Sequence, residues 1–89
     1  MKAIVSVLGT DRPGIIATVS KVLYEGGANI LDISQTVLGD NMFVMTAWVE
    51  IANESNFPAL KSALEAAGQE LGMEIRIQRE EIFNSMFRI

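Results

Sequence analysis

The stretch GTDRPGI, residues 9–15, lies between a strand-like run of apolar residues and a run with helical spacing. Before it, KAIVSVLG (residues 2–9) is rich in β-branched residues, and this predicts a strand. After it, the apolar residues of positions 14–25 recur at intervals of three and four, which predicts a helix. The following Gly26-Gly27 pair predicts the helix end, because glycine accepts the left-handed conformation that closes many helices.

The next two segments read as an antiparallel hairpin. ANILDISQTVL (28–38) and MFVMTAWVEI (42–51) both alternate, and the short link GDN between them consists of turn residues. In the second segment every other residue is apolar, from Phe43 to Ile51. This hairpin follows the first strand and helix directly.

A second helix and a last strand complete the pattern. The segment NES (53–55) supplies helix-capping residues, and Pro58 falls in the first turn, where a missing N–H is tolerated. An apolar stripe with a weak spot at Gly68 then continues to Gly72, which ends the helix. MEIRIQR (73–79) alternates throughout, so the element order is βαββαβ.

This order predicts an α+β fold of the ferredoxin-like type, with four antiparallel strands covered on one face by two helices. The first and third strands are expected at the centre, and the apolar face of each strand is expected to meet the helices. We expect a single domain over residues 1–89, with a short amphipathic C-terminal tail at 80–89. We expect the tail to pack on a partner subunit, and its own open sheet face is the alternative.

Composition excludes several functions. The chain has no histidine and no cysteine, so it lacks the commonest general base, thiolate nucleophiles and the commonest transition-metal ligands. The formal net charge is −4 and the seven basic residues are scattered, which argues against nucleic-acid binding. No apolar run is long enough to span a membrane. We therefore expect a non-catalytic cytoplasmic protein with no metal and no cofactor, whose partners are neither nucleic acid nor membrane.

Three functions of the same fold are disfavoured by particular residues. A metal chaperone of this shape needs Cys-x-x-Cys in the first loop. An RNA-recognition domain needs aromatic residues on the open face of its central strands, where this chain has Ile4, Ser6 and Leu8 on the first strand and only Trp48 on the third. An acylphosphatase would use residues such as Arg12 and Asn41, but the glycine-rich phosphate loop of that family is absent.

Two motifs carry a resemblance to a known family. The loop GTDRPGI and the later segment GGANILDISQT resemble ACT domains, in which Asp-Arg-Pro-Gly opens the first helix and Gly-x-Asn-Ile opens the second strand. The resemblance extends over the whole chain. The ending IQREEIFNSMFRI is similar to the small stand-alone ACT proteins of bacteria and archaea, although Phe87 stands where histidine is often found.

The resemblance implies a regulatory domain that senses an amino acid or similar metabolite at a homodimer interface. It places the ligand between the first loop of one subunit and the start of the second strand of the other. An interaction module without a small ligand, acting on a partner enzyme or transcriptional regulator, is the alternative. The candidate ligand-binding residues are Asp11, Arg12, Pro13, Gly14, Ile15, Asn29 and Ile30.

Local chemistry leaves the role of several of these residues open. Asp11 either caps the helix that begins near Pro13 or binds the ammonium of an amino acid, and capping is the simpler prediction. Arg12 is either solvated or binds a carboxylate. Gly14 gives a ligand access to the backbone because it has no side chain. Asn29 either hydrogen-bonds the ligand or is only a turn residue.

Overall fold

The computed structural model describes residues 1–81. Residues 82–89, which make up most of the predicted tail, lie outside the described part, and so does the prediction of how the tail packs. A 3-10 turn precedes the second helix. The elements in chain order are β1 (Lys2–Thr10), α1 (Ile15–Glu25), β2 (Ala28–Leu38), β3 (Met42–Ile51), the turn Glu54–Asn56, α2 (Phe57–Leu71) and β4 (Met73–Arg79).

The four strands form one antiparallel sheet in the order β2-β3-β1-β4. The strands β1 and β3 are therefore central, as the sequence predicted, and both helices contribute to the core on one face of the sheet. The βαββαβ order and this sheet order confirm the ferredoxin-like α+β fold.

The core is built from alternate residues of three strands and the apolar stripes of both helices. In β1 and β4 these are Ala3, Val5, Val7, Met73, Ile75 and Ile77, and in β3 they run from Phe43 to Ile51. The helices add Ile15, Val19, Leu23, Leu60, Leu64, Ala67 and Leu71. Burying the valine, leucine, isoleucine, phenylalanine and methionine side chains among them contributes about 1.5–3 kcal/mol each, which makes this layer the main source of stability.

Gly68 allows α2 to approach β4 closely. A Cβ added to Gly68 would lie 2.7 Å from the carbonyl oxygen of Met73 and 3.3 Å from Cγ1 of Ile75. The sequence marks this position as a weak spot of the helix. Glycine does lower helix propensity. The structure shows that the close packing of α2 on β4 nevertheless requires glycine at this position.

The outer half of β2 departs from the prediction that each strand buries its apolar face. Ala28 and Ile30 pack against the core, but every residue from Leu31 to Leu38 is exposed. A bulge at Leu31 interrupts the pairing with β3. Beyond it, Ile33 is 40% and Val37 50% exposed. The alternation of this segment is real, but at this edge of the sheet the helices do not cover its apolar side.

The face opposite the helices is apolar in part. Ile4 is buried and pairs in register with Trp48 on one side and Gln78 on the other. Towards the hairpin end of the same face, Leu8 and Met42 are each 44% exposed.

Candidate functional site

The loop between β1 and α1 is fixed to two other parts of the fold. The backbone N–H of Asp11 donates to the carbonyl of Asn41 at 2.7 Å, which ties the loop to the β2–β3 turn. The side chain of Arg12 donates from Nη1 to the carbonyl of Leu71 at 3.1 Å. The loop therefore has a defined position although its side chains are exposed.

Arg12 has a partner that the sequence did not predict. Leu71 is the last residue of α2, where carbonyl groups lack partners within the helix and carry partial negative charge. A guanidinium at this end is favourable, and its remaining N–H groups are free to face solvent or a ligand. Arg12 is therefore not only solvated. One of its N–H donors is used by the Leu71 carbonyl, and the others remain for solvent or a ligand.

The start of α1 differs from the prediction. The helix begins at Ile15, and Gly14 is its N-cap with φ of +86° and no side-chain hydrogen bond. The N–H of Thr18 donates to the Gly14 carbonyl at 3.0 Å. The prediction that Asp11 caps this helix is therefore wrong, and Pro13 precedes the first turn. Three residues, Arg12, Pro13 and the left-handed Gly14, separate Asp11 from the first helical residue.

This arrangement leaves two opposite electrostatic features in one loop. The first turn of α1 has no side-chain cap, so its N–H groups and the positive end of the helix dipole remain open. Within residues 1–81 the Asp11 carboxylate has no hydrogen-bond or ion-pair partner. A carboxylate is favoured at the first feature and an ammonium at the second.

The remaining loop residues have different roles. A Cβ added to Gly14 would meet no atom within 4 Å, so glycine is needed there for its positive φ and not for close packing. Ile15 is only 2% exposed and packs in the core. Its side chain anchors the loop, and only its backbone faces the open helix end.

Asn29 and Ile30 lie far from this loop within one chain. Asn29 is exposed and pairs in register with Glu50, whereas Ile30 is half-buried against the core. The loop adjoins the other end of the sheet, where Thr10, Met42 and Leu38 align. Leu38 lies nine positions after Asn29 in β2, and at about 3.3 Å per position this is a distance of about 30 Å along the strand. One chain does not bring the two predicted segments together.

The structure also contains a cleft that the sequence did not predict. It has a volume of about 390 Å³ and lies where the end of α1 meets the start of α2. Its lining residues are Val22, Glu25, Gly26, Gly27, Asn56, Ala59, Leu60 and Ala63. From the sequence, Gly26 and Gly27 indicate only a helix end, and nothing in the pattern shows that Asn56 faces them.

The described part of the chain, residues 1–81, contains no cluster of three or more acidic, histidine or cysteine residues arranged to hold a metal ion. It also contains no helix long and apolar enough to cross a bilayer.

Comparison with known proteins decides the family. Residues 2–78 match the ACT domain family. The chain belongs to the ACT domain family. This ACT domain is 53% identical over 89 residues to a UPF0237 protein of the archaeon Methanocaldococcus jannaschii, covering 99% of this chain and 98% of that protein.

Solved structures agree. This ACT domain superposes on an ACT domain protein from Streptococcus pneumoniae with a TM-score of 0.83 and 47% identity, over 98% of both chains. It also superposes on the regulatory subunit of aspartate kinase from Thermus thermophilus with a TM-score of 0.68 and 29% identity. That match covers 86% of this chain and 50% of the other.

The predicted resemblance is therefore confirmed, including relatives of the same small size in archaea and bacteria. ACT domains are generally regulatory, ligand-binding domains, and the family and its relatives point to a non-catalytic protein.

Proposed function

We propose that this ACT domain is a regulatory sensor that binds an amino acid, or a similar small metabolite, at the interface of a homodimer. The observation that carries the proposal is the open start of α1 beside an unpaired Asp11 carboxylate, in a loop held at two points. The ends of a zwitterion match these two features, with the carboxylate at the helix N–H groups and the ammonium at Asp11.

The position of Asn29 supports the homodimer part of the proposal. In one chain Asn29 and Ile30 lie about 30 Å along the sheet from the loop. A second copy, related by a two-fold axis, is the simplest way to bring these segments near the loop. In this arrangement the amide of the partner's Asn29 completes the site, with donors and an acceptor for the same ligand.

Regulation is supported by the similar structures. One of them is a regulatory subunit of aspartate kinase. In this proposal, ligand occupancy is transmitted by the dimer interface itself, because the ligand contacts both subunits and stabilises their association. The readout is then a partner protein that recognises one state of the dimer.

A thermal-shift screen over the twenty amino acids tests the proposal. A ligand at 100 times its dissociation constant should stabilise the fold by about 2.7 kcal/mol. Asp11→Asn keeps the size of the side chain and removes its charge. This variant should raise the dissociation constant of the ligand found in the screen by about tenfold or more. Glu65→Gln, which removes a charge from another exposed position on α2, is the matched control and should not change affinity. If no amino acid shifts the melting curve of the intact dimer, the sensor proposal is wrong.

One observation favours a second function, an interaction module without a small ligand. Leu8, Met42 and Leu38 are exposed on neighbouring strands of the open face, at 44%, 44% and 54%. Such a group is typical of a surface for a partner enzyme or transcriptional regulator. The same screen separates the two functions, since a pure interaction module predicts unchanged melting with all twenty amino acids.

A further inference from the structure

Ile4 is a buried apolar residue on the face of the sheet that the helices do not cover. Its neighbours Ala3 and Val5 belong to the core cluster, and alternation along β1 turns the side chain of Ile4 to the opposite face. Among the buried apolar residues of positions 1–81, Ile4 is the one that lies outside this cluster. Its burial therefore has a cause other than the packing of the two helices.

Leu8 provides an internal comparison for Ile4. It lies four residues further along β1 on the same face, and it also has a strand on each side, with Val44 and Glu74 in register. Leu8 is nevertheless 44% exposed, whereas Ile4 is 1% exposed. Side chains stand roughly perpendicular to a sheet, so neighbours in register cover the flanks of a side chain more than its tip. The tip of Ile4 therefore has a cover that Leu8 lacks.

The covered area runs across the strands. Trp48 and Gln78, which pair with Ile4 in register, are half-buried. Lys2 and Ser6, which lie two residues before and after Ile4 on the same face, are exposed. We call Gln78, Ile4 and Trp48 the Ile4 row, which extends from β4 over β1 to β3.

The C-terminal end of the described chain lies beside this row. Arg79, the last residue of β4, pairs in register with Ala3, the neighbour of Ile4. After Glu80 and Glu81 the sequence continues with IFNSMFRI (82–89), which contains five apolar residues and one charged residue. Four of the apolar residues, at positions 82, 83, 86 and 87, recur at intervals of four, which is typical of one face of a helix.

The length of this segment matches the width of the Ile4 row. Eight residues in a helix are about 12 Å long. Two spacings between neighbouring strands, from β4 to β3, amount to about 10 Å. Leu8 lies about 13 Å from Ile4 along β1, so a segment that crosses the strands at Ile4 leaves Leu8 exposed, as it is in the structure.

We propose that residues 82–89 lie across the open face of their own sheet, with their apolar side chains on Ile4 and Trp48. The sequence favours a partner subunit as the surface for this tail. Ile4, however, is buried in a single chain, and the end of β4 at Arg79 brings the tail of that same chain within reach of it. This inference goes beyond the amino-acid sensor and does not depend on it.

The tail divides the open face into two areas. The Ile4 row is closed to other proteins as long as the tail lies on it. Leu8, Met42 and Leu38 stay exposed at the hairpin end of the same face. A partner protein that uses the open face therefore binds at the hairpin end, or it has to displace the tail.

A nitroxide spin label on the tail tests its position. The label is attached through Ser85→Cys, a polar position between the apolar ones, in a chain that has no other cysteine. The amide signals of Ile4 and Trp48 should lose intensity much more strongly than the signal of Asp40 at the hairpin turn. The control is the same label at Lys21→Cys, an exposed position of α1 on the other side of the sheet, which should not select the Ile4 row.

A mixed sample distinguishes the chain's own tail from the tail of a partner subunit. It contains isotope-labelled chains without the nitroxide and nitroxide-labelled chains without the isotope, so any loss of signal arises between subunits. The proposal predicts no selective loss at Ile4 and Trp48 in this mixture. An equal loss in the mixture would show that a partner's tail covers the row, and no selective loss within the labelled chain itself would show that the tail lies elsewhere. Either result overturns the proposal.

Charge substitutions provide a second measurement without a label. Phe83→Asp and Met86→Asp place a carboxylate at apolar positions of the tail, and Asn84→Asp, which places it at a polar position, is the matched control. Trp48 is the one tryptophan of the chain, so its fluorescence reports on the Ile4 row. Its emission should shift to longer wavelength in the first two variants and stay unchanged in the control.

The equilibrium constant for unfolding should rise about tenfold or more in Phe83→Asp and Met86→Asp, because each variant loses at least one buried apolar side chain. Unchanged emission and stability in all three variants would overturn the proposal. None of these measurements contains an amino acid, so a tail that behaves as proposed in a protein that ignores all twenty amino acids refutes only the sensor.

Discussion

The Nη1 atom of Arg12 donates to the carbonyl of Leu71 across 59 positions of sequence, at 3.1 Å. This bond joins the loop before α1 to the last turn of α2. The loop of the candidate site is therefore held against the end of the second helix, directly before β4.

Arg12→Ala should lower the free energy of unfolding by about 0.5–1.5 kcal/mol, since it removes this hydrogen bond and the cation at the helix end. Arg12→Lys keeps the charge and should lose less. Urea denaturation measures both. An alanine variant as stable as the wild type would show that the contact does not fix the loop.

Gly14→Ala should destabilise the protein by about 1–2 kcal/mol, because the φ of +86° is unfavourable for a residue with a Cβ. No atom lies within 4 Å of the added carbon, so the cost is backbone strain alone. Gly14→Asn should cost less, since asparagine tolerates this conformation better. Thermal denaturation of the two variants measures the order, and an alanine variant more stable than the asparagine variant would contradict it.

Gly68→Ala should also be destabilising, by about 1–3 kcal/mol, although alanine is the better helix former. The added carbon would lie 2.7 Å from a backbone oxygen of Met73, which cannot move without shifting β4. Ala66→Gly, at an exposed position of the same helix, is the control and should cost only the propensity difference of about 1 kcal/mol. A stabilised Gly68→Ala variant would disprove the close approach of α2.

The sequence predicted the fold because the relevant signals are local. The alternating residues Ala3, Val5 and Val7 are all buried in the core. So are Leu60 and Leu64, which have helical spacing. The family motif around Asp11 and Pro13 was equally visible. These patterns depend only on neighbours along the chain.

The details of the site were not predictable in the same way. The bond from Arg12 to Leu71 depends on how α2 ends against a distant loop, which no spacing reveals. The capping prediction for Asp11 relied on a common pattern, an aspartate ahead of a first-turn proline. It was wrong because the left-handed Gly14 is the N-cap and the helix begins only at Ile15. The exposure of Ile33 and Val37 was missed because alternation does not show how far the helices extend.

The bulge at Leu31 divides β2 into two segments whose side chains alternate in different phase. Before it, Ala28 and Ile30 face the helices, and beyond it Ile33 and Val37 lie on that same side. Because of this one inserted residue, the side chains on the helix side have even numbers before the bulge and odd numbers after it. A deletion of Leu31 would place Asp32 directly after Ile30 in the existing pairing with β3, so Ile33 and Val37 would stay on the helix side and the strand would become regular while the core of the domain stays in place.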